Sequence, residues 1–447
     1  MHRHVAGSAI RRREDSDGPQ AHPHSHGSGL NRRYRGHARA LCPTCRKEHL
    51  AFLQELNQPR RASELEILRM LLGHVAEELR RLDEQAEQEQ RALEGLPFEQ
   101  QRALVKRARK RFRNPFLADR LIRASREAVY SEPQRARELA ELAFEVALRG
   151  KLLVLDGDPS FELLALAAAH RANALRVAGD LPAAEEAMSR ALHPLDELSE
   201  LVRAEICSLA ASLRRAERRF DQALELAERA RQLYTALGEQ HEAGRTLLLR
   251  SHILHQQGEI DAAIATLHET LGLLDHRQDP RLYLWAQHDL TCYLADAGAY
   301  REARKLLEDN RSLYASYPDE PTLLRRRWVE AKVARGLGEG SEAEAAFLEA
   351  RDGFAGRDNG YDAALVSLEL ALLYVDQGRT GEVKELARAM VPIFRAQDVH
   401  REALAALVVF VEAASREAVS RELVEHLADY LRQARNDPSL RFEPPSF

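Results

Sequence analysis

Three observations predict an all-α chain built as a solenoid of helix pairs. The first is a turn residue that recurs in register: Gly179, Arg218, Gly258, Gly298, Gly338 and Gly378 stand 39, 40, 40, 40 and 40 residues apart. The second is a pair of small-residue rows tied to that marker. Five residues after it lie Ala184, Ala223, Ala263, Ala303, Ala343 and Val383, and seven before it lie Ala172, Ala211, Ser251, Thr291, Ala331 and Ala371. Small side chains at fixed offsets on both sides of a turn let two helices approach closely. The third is composition: 45% of residues are apolar and only 6% aromatic, with Leu and Ala dominating the periodic segments, which suits a continuous helical core.

The run Ala172-Asn173-Ala174-Leu175-Arg176-Val177-Ala178-Gly179-Asp180-Leu181, followed by Ala184, Met188 and Ala191, resembles the tetratricopeptide repeat, TPR. That family's helix-turn-helix unit carries small residues at these offsets and Gly at the turn. The resemblance implies a right-handed TPR-like helical-repeat solenoid whose first helices line a concave, partner-binding face. The nominal period of the family is about 34 residues. The longer spacing here requires helices extended by about a turn or longer loops between repeats, such as Asp275-His276-Arg277-Gln278-Asp279-Pro280.

In chain order, residues 1–30 are polar and aperiodic, with His2, His4, His22, His24 and His26 scattered through them. Such a composition cannot bury a core and predicts a disordered tail. Residues 31–60 hold the chain's one constellation with metal-ligand spacing: His37, then Cys42-Pro43-Thr44-Cys45, then His49. Two thiols two residues apart can close on one zinc ion when they open a helix, and Pro43 suits the first helical position. Cys45 and His49 then lie at i and i+4 on one face, so His37, Cys42, Cys45 and His49 are the candidate ligands of a structural zinc. Uncoordinated thiols are the alternative. A thioredoxin-like redox role is not expected, because no βαβ pattern surrounds the pair.

The spacing His37-x4-Cys42-x2-Cys45 resembles the zinc-associated domain of bacterial anti-sigma factors, whose His-x3-Cys-x2-Cys motif joins two helices that grip a sigma factor. The gap is one residue longer here. The resemblance implies a short zinc-finger-like helical segment ahead of the solenoid, with His37, Cys42 and Cys45 as carried-over ligands and a role in transcriptional control.

Residues 61–117 read as a helical linker. Leu65, Ile67, Leu68, Leu71, Leu72, Val75, Leu79 and Leu82 form an apolar stripe opposite a charged face, and such a helix needs a partner for its stripe. Lys106-Arg107-Ala108-Arg109-Lys110-Arg111-Phe112-Arg113 follows. It reads as a solvated helix face opposite Leu104, Val105 and Ala108, with nucleic-acid contact as the alternative. Seven helix pairs then span 118–395, the first of them weaker, with Ser131 in the turn and Ala136 and Ala140 in its second helix. Residues 396–447 supply two capping helices, near 401–414 and 419–436, and a tail; a solenoid needs such a cap over its last open face.

The net charge is only −5, from 65 basic and 70 acidic residues, so bulk electrostatics do not make the molecule a polyanion binder. The longest purely apolar run, 403–411, is far shorter than the roughly 20 residues a membrane span needs. A cytoplasmic location is expected. No Gly-rich phosphate loop, nucleophile elbow or His-Glu-x-x-His motif is present, and the carboxylates are spread as on exposed helix faces, which predicts a non-enzyme.

Counting back from the turn markers places Arg176, Arg215, His255 and Arg335 on the inner face, three residues before the turn. Neighbouring inward offsets add Arg245, His252, Trp285, His288, Arg325, Trp328 and Lys332. Guanidinium forks bind carboxylates and Trp buries large area at small entropic cost, so this set predicts a protein or peptide partner, acidic with an aromatic or aliphatic anchor. In the last repeat the same offsets hold Leu365, Leu368, Leu372 and Val375, which are expected to dock the capping helices.

Overall fold

A computed structural model describes residues 62–108, 110–129, 131–150, 159–357, 359–396, 401–434 and 440–443. The disordered-tail and zinc-ligand expectations for residues 1–60 therefore lie outside the described residues.

Among these residues the chain is helical throughout. Helix α1 (Ala62–Leu93) and α2 (Phe98–Arg107) precede seven pairs. The pairs are α3/α4 (Pro115–Ala128, Pro133–Arg149), α5/α6 (Pro159–Val177, Leu181–Leu192), α7/α8 (Glu200–Ala216, Phe220–Ala236) and α9/α10 (Gln240–Gln256, Ile260–Leu273). They continue with α11 (Pro280–Asp296), its divided partner α12 and α13 (Tyr300–Asp309, Arg311–Ala315), then α14/α15 (Glu320–Gly336, Gly340–Ala355) and α16/α17 (Gly360–Asp376, Thr380–Ala396). Helices α18 (Arg401–Ser415) and α19 (Arg421–Ala434) close the series.

The 40-residue period follows from helix length. Helices α7, α8 and α9 each have 17 residues, separated by three-residue turns at 217–219 and 237–239. The extra residues relative to the nominal repeat are thus longer helices at this point, while longer connections occur at 193–199 and 274–279.

Each marker adopts the left-handed conformation, from φ +59° at Arg218 to φ +86° at Gly258. The residue after it donates its N–H to the carbonyl five residues back, as Glu259 does to Leu254 (2.9 Å) and Glu339 to Ala334 (2.9 Å), while the marker's own N–H reaches three back. This is the Schellman geometry that satisfies carbonyls left open at a helix end. The small rows do what their size predicts: Ala184, Ala223, Ala263, Ala303 and Ala343 are fully buried, as are Ala172, Ala211, Ser251, Ala331 and Ala371.

Successive first helices pack on one another (α3 on α5, α5 on α7, α11 on α14), whereas contacts between successive second helices are weaker or absent, so the first helices form the inner layer. Between α9 and α11 that inner packing is loosest. The core runs along the solenoid as consecutive clusters: one from Ala86 to Ala243, one from Leu248 to Val333, and one from Leu324 to Ala434.

The ends are closed differently. The C-terminal part of α1 packs on α3, burying Ala86 and Leu93, with Arg120 paired to Asp83 at 3.1 Å. The C-terminal turns of this helix thus find their partner in the first repeat. At the other end α18 packs on α17 and α19 packs on α16. Leu365, Leu368 and Leu372 are buried beneath that cap, as their apolar character predicts.

The basic run departs from its expected form. Helix α2 stops at Arg107, where Ala108 turns extended (ψ 129°), so Lys110–Arg113 lie in a turn and not on a helix face. Phe112 takes φ +58° and is driven into the core at 2% exposure, with Arg111 over its ring. Burying one aromatic outweighs continuing a short helix into Asn114-Pro115, and Asn114 instead caps α3 by accepting from Phe116 N–H (3.0 Å).

Candidate functional site

The inner face of α9, α11, α14 and α16 brings together most of the residues that the marker offsets single out, and adds acidic partners that those offsets miss. Arg245 on α9 donates to Asp279 (2.8 Å), whose other oxygen accepts from Leu282 N–H (3.0 Å) and so caps α11. Farther along, His252 Nε2 meets Asp289 Oδ2 at 2.7 Å and His255 Nε2 meets Asp296 Oδ2 at 2.9 Å. Three polar bridges therefore span the α9–α11 gap where helix packing is loosest. His255 also stacks on Tyr293, rings parallel at 4.0 Å.

Asp296 in turn accepts from Lys332 Nζ (2.5 Å) on α14. Arg335, one turn on, pairs with Glu369 of α16 (3.0 Å), and Lys332 lies 4.0 Å from the same carboxylate. Burial works to raise the Asp296 carboxyl pKa, but Lys332 and His255 outweigh it and hold it well below the usual carboxylate range. Asp289 is likewise lowered against burial by His252. Lys332 is raised against burial by Asp296 and Glu369, so it stays charged. His288 differs: burial pushes its pKa down and favours the neutral ring, which sits between Tyr314 Oη (2.9 Å from Nδ1) and Cys292 Sγ (3.6 Å from Nε2). Burial also raises the Cys292 thiol far above its ordinary range, so it is not a nucleophile here.

These carboxylates correct the expected charge of the groove. Read from offsets alone the face is cationic; in the structure Asp279, Asp289, Asp296 and Glu369 interleave with the bases and offset much of their charge. Asp289 and Glu369 stand nine residues before their markers and Asp296 two before, positions on the same helical face that a rule using only offsets 3, 6, 10 and 13 passes over. Arg176 lies apart, at the N-terminal end of the solenoid, and bonds Asn173 of its own helix (2.9 Å). Arg215 lies on α7, half-buried.

Two of the predicted groups stay exposed, and a third is drawn into packing. Trp285 is 36% exposed, with Arg281 over its ring. Arg325, at the equivalent position of the next repeat, is exposed and forms no ion pair among the described residues. Trp328 packs edge-on against Phe354 (centroids 6.0 Å apart), and its indole N–H is buried without a hydrogen-bond acceptor.

Where α19 meets the inner face of α11, α14 and α16, a cleft of about 390 Å³ opens. Asp296, Lys332, Arg335 and Glu369 line its solenoid side, and Arg421, Glu425, Asp429 and Arg432 line its α19 side. No group of three or more His, Cys, Asp or Glu able to hold a metal occurs among the described residues. No helix among them is long and apolar enough to cross a membrane.

No protein-family model matches the chain, and no curated protein sequence matches it. Solved structures do share the fold. A Rap protein complexed with Competence and Sporulation Factor superposes with a TM-score of 0.53 at 11% identity, over 72% of this chain and 88% of that one. The apo form of RapI superposes with a TM-score of 0.51 at 11% identity, over 71% and 87%. The fold is a TPR-like helical-repeat solenoid.

Proposed function

We propose that this chain is a non-catalytic interaction scaffold or regulator that holds a segment of a partner protein along the inner face of α9, α11 and α14. The observation that carries the reading is an exposed pair at equivalent positions of successive repeats, Trp285 on α11 and Arg325 on α14. Trp285 and Arg325 flank the same face and supply an anchor surface and an unspent guanidinium. The fold shared with a Rap protein complexed with Competence and Sporulation Factor supports a binding role. Because carboxylates offset the groove's bases, the best-fitting partner segment is one of mixed charge with an aromatic or aliphatic anchor, its acidic groups directed to Arg325. The finer reading adds residues 31–60 as a zinc-held unit that engages a transcription partner.

The test is selection of linear peptides from a random displayed library on the full chain. Trp285→Ala combined with Arg325→Glu should weaken the selected peptides by about tenfold or more at unchanged helicity, since both side chains are exposed. Equal binding by this variant overturns the groove assignment.

A second reading, a nucleic-acid-associated regulator, draws on Arg107, Lys110, Arg111 and Arg113, all exposed around buried Phe112. Phosphate binding there would weaken steeply with salt, whereas an aromatic-anchored groove loses less.

A further inference from the structure

The cleft between α19 and the solenoid is charged where a purely structural cap would be apolar. Helix α16 is otherwise leucine-rich on this face, with Leu365, Leu368 and Leu372 buried, yet it carries Glu369 at 5% exposure in their midst. Three bases converge on that carboxylate: Arg335 at 3.0 Å, Arg432 at 3.7 Å and Lys332 at 4.0 Å. Taking ion pairs this far out of water generally stabilises a fold less than well-packed apolar side chains would. Stability of the cap alone therefore does not account for them.

The lining carries equal charge of both signs, Lys332, Arg335, Arg421 and Arg432 against Asp296, Glu369, Glu425 and Asp429. Each wall holds both signs: Lys332 with Asp296 and Arg335 with Glu369 on the solenoid, Arg432 with Asp429 (2.5 Å) and Arg421 with Glu425 (3.3 Å) on α19. A polyanion or a polycation gains nothing from such a field, whereas a ligand that presents a cation and an anion a few ångströms apart can exchange partners with either wall. Leu368, Leu372 and Ala428 line the cleft between those pairs, and the volume of about 390 Å³ falls within the range of small-ligand pockets.

We infer that this cleft is a binding subsite for a short peptide element carrying a paired ammonium or guanidinium and carboxylate, seated between α14, α16 and α19. The inference deepens the groove reading and rests on it for the peptide nature of the ligand. Two sources share the chemistry: the free ends of a short peptide, and opposite charges on neighbouring side chains within a longer segment.

The probes are a synthetic tripeptide library with free termini, and an acetylated, amidated library with Lys or Arg at one end and Asp or Glu at the other. Both are passed over the immobilised full chain, and the retained members are quantified by mass spectrometry. Retention of free-ended members alone assigns the first source, and retention of blocked members the second; either supports the cleft. Arg432→Ala and Glu425→Ala each remove one charge from the α19 wall at half-exposed positions that folding tolerates, and each should lower retention about tenfold. Trp285→Ala/Arg325→Glu lies outside the cleft and should leave tripeptide retention unchanged. If neither library is retained, or if both cleft variants retain as much as the unsubstituted chain, the inference is overturned. A groove variant that loses long peptides but keeps tripeptides upholds both readings. Long-peptide binding that survives in it removes the groove assignment and leaves the cleft standing.

Discussion

Arg218 holds the left-handed position at φ +59° that glycine fills in the five repeat turns after or before it, and its guanidinium compensates in part by lying 5.1 Å over the Phe220 ring. A side chain in this conformation costs roughly 1–2 kcal/mol, partly offset because glycine has more freedom to lose on folding. Arg218→Gly is therefore expected to stabilise the chain by about 0.5–1 kcal/mol. Gly258→Ala, where nothing lies within 4 Å of an added Cβ, should cost about 1 kcal/mol through the backbone alone. Shifts in the urea midpoint at constant slope measure both; equal and near-zero shifts would contradict the turn argument. The turn glycines were legible in the sequence because φ > 0 is a local demand that one residue type meets best. Gly336 was not. An added Cβ there would lie 2.2 Å from the Tyr300 ring, a constraint set by a residue of the preceding repeat.

Among the elements, α19 is the one whose role depends most on its neighbours. It buries Leu423, Val424, Leu427 and Leu431 and covers the leucines of α16. A chain ending at residue 416 exposes that face and is expected to lose stability and to self-associate, measured by thermal unfolding and sedimentation velocity. A fully soluble, equally stable truncation would show that α19 is dispensable. At the opposite end, the zinc proposal for His37, Cys42, Cys45 and His49 predicts about one zinc per chain in purified protein, and none in Cys42→Ser/Cys45→Ser. No zinc in the unsubstituted protein would overturn the zinc proposal. Element identity was readable from periodicity, as for the Ala62–Leu93 helix that carries the stripe Leu65–Leu82. The basic run was misread because the pull of the core on Phe112 is a tertiary force that helical spacing does not contain.

For the molecule as a whole, buried ionisable groups on the inner face tie stability to pH. His288 has a lowered pKa in the fold, so below the ordinary histidine value of about 6.5 the unfolded chain takes up its proton more readily and stability declines with falling pH. Asp289 and Asp296 are lowered by His252 and Lys332, so their contribution is present above the ordinary carboxylate value of about 4 and is lost as pH falls through their folded values. Urea unfolding between pH 8 and 3 should show two descending limbs. His288→Gln should flatten the upper limb and Asp296→Asn the lower; unchanged profiles in both would refute these assignments. By itself the sequence determined the repeat register, the helix pairs and the apolar last repeat, because turn conformation, small-residue contacts and amphipathic periodicity act within some 40 residues. Only the tertiary structure decided the groove's charge balance and the existence of the cleft. The ion pairs between helices join residues on different repeats, as from Arg432 back to Glu369, and depend on which faces two helices turn toward each other once packed.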